Sequence, residues 1–275
     1  MQQNRNDSVH ASSDVVIEVL SHQIERVRGF CYPLMYEDGN DILQFASCFF
    51  IRLEKYTEYL VSAGHALRDF DSNQFRLLSR TASEIIQIPA NIASTMALES
   101  DKNDHIDISV IQLPNGFCCK HGINVIPDFR TSLSNTNGAA RVLSGYPASR
   151  NKSVVSHANV LHLYAHCFVS SSDDSEVDFS VFKKSAVNHV AISLENGVGP
   201  NNSFHNIPVN PKGMSGGPVW RVSLTPGSED IFLEGVFIEM HNRRNQYLGF
   251  ATKFRHVLGL IASLDHSKFP QSNST

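Results

Sequence analysis

The chain has 275 residues, with 23 Lys and Arg against 27 Asp and Glu and a formal net charge of -4. At 41% hydrophobic residues it is long enough to bury a real core, as one large all-β or α/β domain or as two small ones. The charge balance leaves no basic field for a nucleic acid backbone, and no apolar run approaches the roughly eighteen residues of a spanning helix, so neither nucleic acid nor a membrane is an expected partner.

In chain order, residues 1–27 read as a polar N-terminal extension and a first strand. The start, rich in Gln, Asn, Asp and Ser, lacks the apolar stretch of a secretory signal, so a cytoplasmic location is expected. Short β-rich runs bounded by Gly, Asn, Asp and Pro follow at 42–53, 58–62, 75–78, 84–88 and 107–113. After a break within 115–137 they resume at 140–146, 154–165, 177–182, 187–194, 218–222, 231–240 and 247–252. Polar loops are expected at 131–138, 170–178 and 195–206. Phe254, Val257, Leu258, Ile261 and Leu264 recur at three- and four-residue steps, which predicts one terminal helix, and 265–275 reads as a flexible tail. Strands at this spacing, without helices alternating between them, predict an all-β antiparallel sandwich or barrel. The break divides them into comparable groups at 28–125 and 126–264, as two packed barrels would need. Five cysteines, with Cys118 and Cys119 adjacent, match neither a zinc site nor a disulfide framework, so reduced, buried thiols and no metal are expected.

The most informative stretch is Gly213-Met214-Ser215-Gly216-Gly217-Pro218. Glycines on both sides of a serine allow a tight turn that leaves the hydroxyl exposed, and the same turn can aim the amides of Gly213 and Ser215 at one point, where they would stabilise an oxyanion. A glycine-rich hairpin that happens to contain serine is the structural alternative. A nucleophilic serine needs a histidine base and a group to orient it. Among thirteen histidines, His65 ends a strand that runs into the small residues Ser62-Ala63-Gly64. The orienting carboxylate is expected at the start of an apolar strand, where Asp107-Ile108-Ser109-Val110 has the right form; Asp104 is the rival and Asp101 a more remote one.

These blocks occur in the order His, Asp, Ser, and with them the chain resembles the trypsin-like serine peptidases over roughly residues 28 to 264. Ser144-Gly145-Tyr146-Pro147, Gly235-Val236-Phe237-Ile238 and Gly249-Phe250-Ala251-Thr252 add to the likeness, the last being similar to HtrA-like members, here with no appended peptide-binding domain expected. The resemblance implies two packed six-stranded antiparallel barrels of the chymotrypsin type with a C-terminal helix. It also implies a serine endopeptidase without cofactor, with His65, Asp107 and Ser215 as catalytic residues, Gly213 and Ser215 as oxyanion donors, and a protein or peptide substrate. A catalytically silent domain that binds a peptide or protein partner is the alternative, and an esterase a weaker one. Ala66 stands where secreted members have a bridged cysteine, so that disulfide cannot form. Met214 replaces the aspartate that pairs with a newly cut N-terminus, so the chain either folds competent or is switched by an activating protein partner. For the substrate pocket the resemblance points to Val209 and Phe237, favouring a small or apolar side chain, with Glu239 either turned into the pocket or an exposed strand residue.

Overall fold

The computed structural model describes residues 3–38, 41–53, 57–68, 75–78, 85–89, 105–127, 139–149, 151, 163–171, 173–199, 202–205, 210–243 and 246–267. The chain opens not with a strand but with helix α1 (Gln3–Arg28). Its last turns carry Leu20, Ile24 and Val27 at helical spacing, all buried in the central core, and Arg26 and Arg28 close the C-terminal end, where cations suit the helix dipole. The polar composition of the first turns concealed that stripe.

The first sheet contains β1 (Cys31–Asp38), β2 (Asp41–Leu53), β3 (Thr57–Ala63), β4 (Phe75–Leu78), β5 (Ile85–Gln87) and β6 (Ile108–Gln112), paired antiparallel in the order β5-β4-β1-β2-β3-β6. Two one-turn helices, α2 (Gly64–Arg68) and α3 (Phe117–Lys120), follow β3 and β6. The short β7 (Ile126–Pro127) adds to β2 in parallel, so the first unit reaches Pro127. β1 escaped the sequence reading because it contains Pro33, which cannot donate to a ladder. The proline is tolerated since pairing with β4 begins only at Leu34.

The second sheet contains β8 (Ala139–Gly145), β9 (His166–Ser171), β10 (His189–Ser193), β11 (Gly197–Val198), β12 (Phe204–His205), β13 (Pro218–Ser223), β14 (Ile231–Arg243) and β15 (Gln246–Lys253). They pair antiparallel in the order β10-β15-β14-β13-β8-β9-β11-β12, and β10 also lies against β9, which curls the sheet toward closure. Helix α4 (Arg255–Ser267) ends the described chain. The architecture is the all-β, two-unit arrangement expected, of the chymotrypsin-like kind with its C-terminal helix, with seven and eight strands among the described residues rather than six each.

Several local expectations differ or fall outside the described residues. The strand expected at 177–182 is a 3-10 turn over Phe179–Phe182, because Asp178 caps it by accepting from the Ser180 N–H. Most of the strand expected at 154–165 lies outside the described residues, as does the loop at 131–138, and β9 begins at His166. The loop expected at 195–206 holds the two-residue strands β11 and β12. Of the expected flexible tail, 265–267 continue α4, and 268–275 lie outside the described residues.

Period-2 alternation explains how both faces of the central strands are buried. On β2, Phe49 and Ile51 enter a core shared with α1, α4 and the second sheet, while Cys48 and Phe50 enter the interior of the first unit. A third cluster, with Leu143, Phe168, Met214, Val219 and Phe237, fills the second unit. The shared core fixes one unit against the other, and the candidate site lies where they meet.

Candidate active site

The ladder between β3 and β6 ends with Ala63 opposite Ile108, so Gly64-His65 and Asp107 emerge together beyond its last rung. Gly64 N–H donates to the Asp107 carbonyl at 3.0 Å, and His65 N–H donates to Asp107 Oδ1 at 2.9 Å. The His65 Nδ1 faces Asp107 Oδ2 in a close hydrogen bond. An ionised carboxylate only accepts, so the proton sits on Nδ1 and leaves Nε2 free to act as a base. Arg68, three residues after His65 on α2, donates to Asp107 Oδ1 at 3.0 Å. Burial works against ionisation of Asp107, but the His65 hydrogen bonds and the Arg68 guanidinium outweigh it and hold the carboxyl below the usual range. Asp104 and Asp101 lie outside the described residues.

Ser215 arrives from the second unit on the turn before β13. Gly213 and Gly216 there have φ of +95° and +87°, values that L side chains rarely adopt. A Cβ on Gly216 would lie 2.1 Å from both the Ser47 carbonyl and the Ser62 hydroxyl and 2.9 Å from the Ala63 nitrogen. The turn therefore seats against the middle of β2 and the end of β3, two residues from His65. Among the described residues the N–H groups of Gly213 and Ser215 have no acceptor. The Ser215 hydroxyl donates to the Ile238 carbonyl at 3.5 Å and makes no hydrogen bond to His65 among the described contacts. Such bonds are often long before substrate binds.

The pocket expectations fare differently from one another. Val209 lies outside the described residues. Phe237 does not line an open cleft: it is 1% exposed and packs into the core of the second unit, with its ring over Gly249, where a Cβ would meet Phe237 Cε2 at 2.6 Å. Glu239 is neither a lone pocket charge nor a plain exposed residue, because it pairs with Lys184 Nζ at 2.8 Å and His241 Nε2 at 3.2 Å. Burial disfavours its charge, yet Lys184 and His241 hold its carboxyl below the usual range. Sequence reasoning missed Arg68 and Lys184. Arg68 was findable from its three-residue offset on a helical turn after His65, whereas nothing local marked Lys184, which lies 55 residues before Glu239 and reaches it only through the fold. Among the described residues no group of three His, Cys, Asp or Glu side chains is placed to hold a metal ion.

No family model matches the chain, and no curated relative does. Among solved structures it is similar to a thermostable serine protease, AL20, from an extremophilic microorganism. That likeness has a TM-score of 0.44 and 12% identity and spans 82% of this chain and 91% of that one.

Proposed function

We propose that the chain is a serine endopeptidase. The observation that carries the reading is a histidine, oriented by a buried-edge carboxylate, set beside a serine turn with two amides that lack acceptors among the described residues. His65 Nε2 takes the Ser215 proton as Oγ attacks a peptide carbonyl carbon, and Asp107 stabilises the imidazolium. The carbonyl oxygen becomes an oxyanion held by the Gly213 and Ser215 N–H groups. His65 then protonates the departing amine, leaving an acyl ester on Ser215, and water repeats the cycle to release the acid. The chemistry calls for no cofactor. With the charge of Glu239 answered by Lys184 and His241, the preferred side chain before the cut bond is small or apolar, in a protein or peptide substrate. An HtrA-like affinity and a cytoplasmic location belong to the same proposal, the latter supported by five unbridged thiols.

A fluorophosphonate probe tests it. Ser215 is expected to label covalently, and Ser215→Ala to lose labelling and several orders of magnitude of peptide turnover with unchanged folding. Well-folded protein that does not label would instead be a peptide-binding module, a second reading favoured by the bond from Ser215 to Ile238 rather than to His65.

A further inference from the structure

Three consecutive peptides of the serine turn are held by groups on either side of them. A trans peptide points its N–H and C=O in opposite directions, so fixing the carbonyl aims the amide. The Gly213 N–H shares a peptide with the Lys212 carbonyl, which accepts from Ala148 N–H at 2.7 Å. The Ser215 N–H shares one with the Met214 carbonyl, which accepts from Gly217 N–H at 2.9 Å. Between them, the Gly213–Met214 peptide donates to the Pro211 carbonyl at 2.8 Å, and its own carbonyl accepts from Gln44 Nε2 at 3.0 Å and from Ser47 Oγ at 2.9 Å.

Those last two donors come from the other unit of the molecule, on β2. The Gln44 amide also faces the carbonyls of Tyr146 at 2.8 Å and Ala46 at 2.9 Å, so the end turned to the turn must be its NH2. Its Oε1 is buried with no partner among the described residues, so donation is the whole polar use of this side chain. Ser47 grips the same turn once more, its N–H donating to the Ser215 carbonyl at 2.8 Å, and its hydroxyl also accepts from Tyr146 N–H, just after β8, at 2.9 Å. Beneath the turn, Met214 is fully buried against Gly145. A positive φ makes Gly213 an easy place for a peptide to flip, and a flip would put a carbonyl where an oxyanion must sit.

We infer that Gln44 and Ser47 are positioning residues that lock the oxyanion amides of Gly213 and Ser215 in working geometry before substrate arrives, so that the chain is competent as folded and needs neither cleavage nor an activating partner. The inference rests on the protease reading above.

Gln44→Met keeps length and removes the amide, whose hydrogen bonds are all donations; Ser47→Ala removes the hydroxyl. Each is compared with wild type for kcat and KM on a peptide substrate, for binding of a peptide boronic acid, whose tetrahedral adduct needs the oxyanion amides, and for fluorophosphonate labelling of purified protein with nothing added. The expected result is prompt labelling of wild type, a fall in kcat and boronate affinity of about 10- to 100-fold in each variant, and KM nearly unchanged. A purely structural role would lower thermal stability without that split. Wild type that labels while both folded variants keep kcat and boronate affinity overturns the lock and leaves the protease reading standing. Wild type that labels only after a partner protein is added overturns self-competence. Wild type that never labels removes the protease reading, and the lock with it.

Discussion

Gly216 has no space for even a methyl group, because its backbone rests on the Ser47 carbonyl and the Ser62 hydroxyl with φ of +87°. The first of those contacts is backbone, which cannot swing aside, and Ser62 Oγ is itself committed to the Ser47 carbonyl at 2.8 Å. Gly216→Ala is therefore expected to cost on the order of 3 kcal/mol or more, seen as a lower midpoint in urea, and to abolish probe labelling. Midpoint and labelling both at wild-type level would show that the turn does not sit on the strands as described. At this scale the serine block was legible in the sequence because such contacts admit only glycine. His65 and Asp107 were legible because a strand end marks each. Gln44 and Ser47 were not, since a polar residue on a strand carries no mark of the distant carbonyl it will meet.

Helix α1 is the element that composition concealed. Among the described side chains its buried apolar face comes down to Leu20, Ile24 and Val27, a stripe too short to stand out among polar neighbours, and its anchoring is long-range. Gln23 Nε2 donates to the Ser228 carbonyl at 2.8 Å, Arg26 to the Glu229 carbonyl at 3.0 Å, and Arg28 to the Val198 carbonyl at 3.1 Å. Ile24 is fully buried in the core that both sheets share, so Ile24→Ala is expected to destabilise the protein by about 2–5 kcal/mol in denaturant unfolding. A loss below about 1 kcal/mol would mean that α1 is an appendage. The long central strands read well in sequence because both of their faces are apolar. The stretch at 177–182 misread because a capping aspartate outweighed the β propensity of Val and Phe.

Across the whole molecule, charge is buried in one place above all. Arg141, 1% exposed, holds Glu234 at 2.7 Å and Asp174 at 2.6 Å, and Arg221 closes on Glu234 from the other side. Burial opposes ionisation of Glu234, but Arg141 and Arg221 prevail and keep its carboxyl below the usual range. A carboxyl depressed in the folded state stabilises above its unfolded pKa of about 4.3 and loses that contribution as pH falls through the folded value. The melting temperature should thus drop below about pH 4, and Glu234→Gln, less stable at neutral pH, should converge on wild type as acid is added; parallel curves would refute this. Burial also raises the thiols of Cys48 and, with help from the Glu58 charge, Cys118, while only Cys119 is exposed. A disulfide reagent is expected to titrate one thiol rapidly in native protein and five in urea.

The serine turn meets a seam, with Ser215 on one side and His65, Asp107, Gln44 and Ser47 on the other. A half-made chain, holding everything up to β7, possesses an imidazole and an acid but nothing for them to arm. Under the protease reading proposed above, cutting power is the last property to emerge during synthesis, arriving all at once when the late-made half docks.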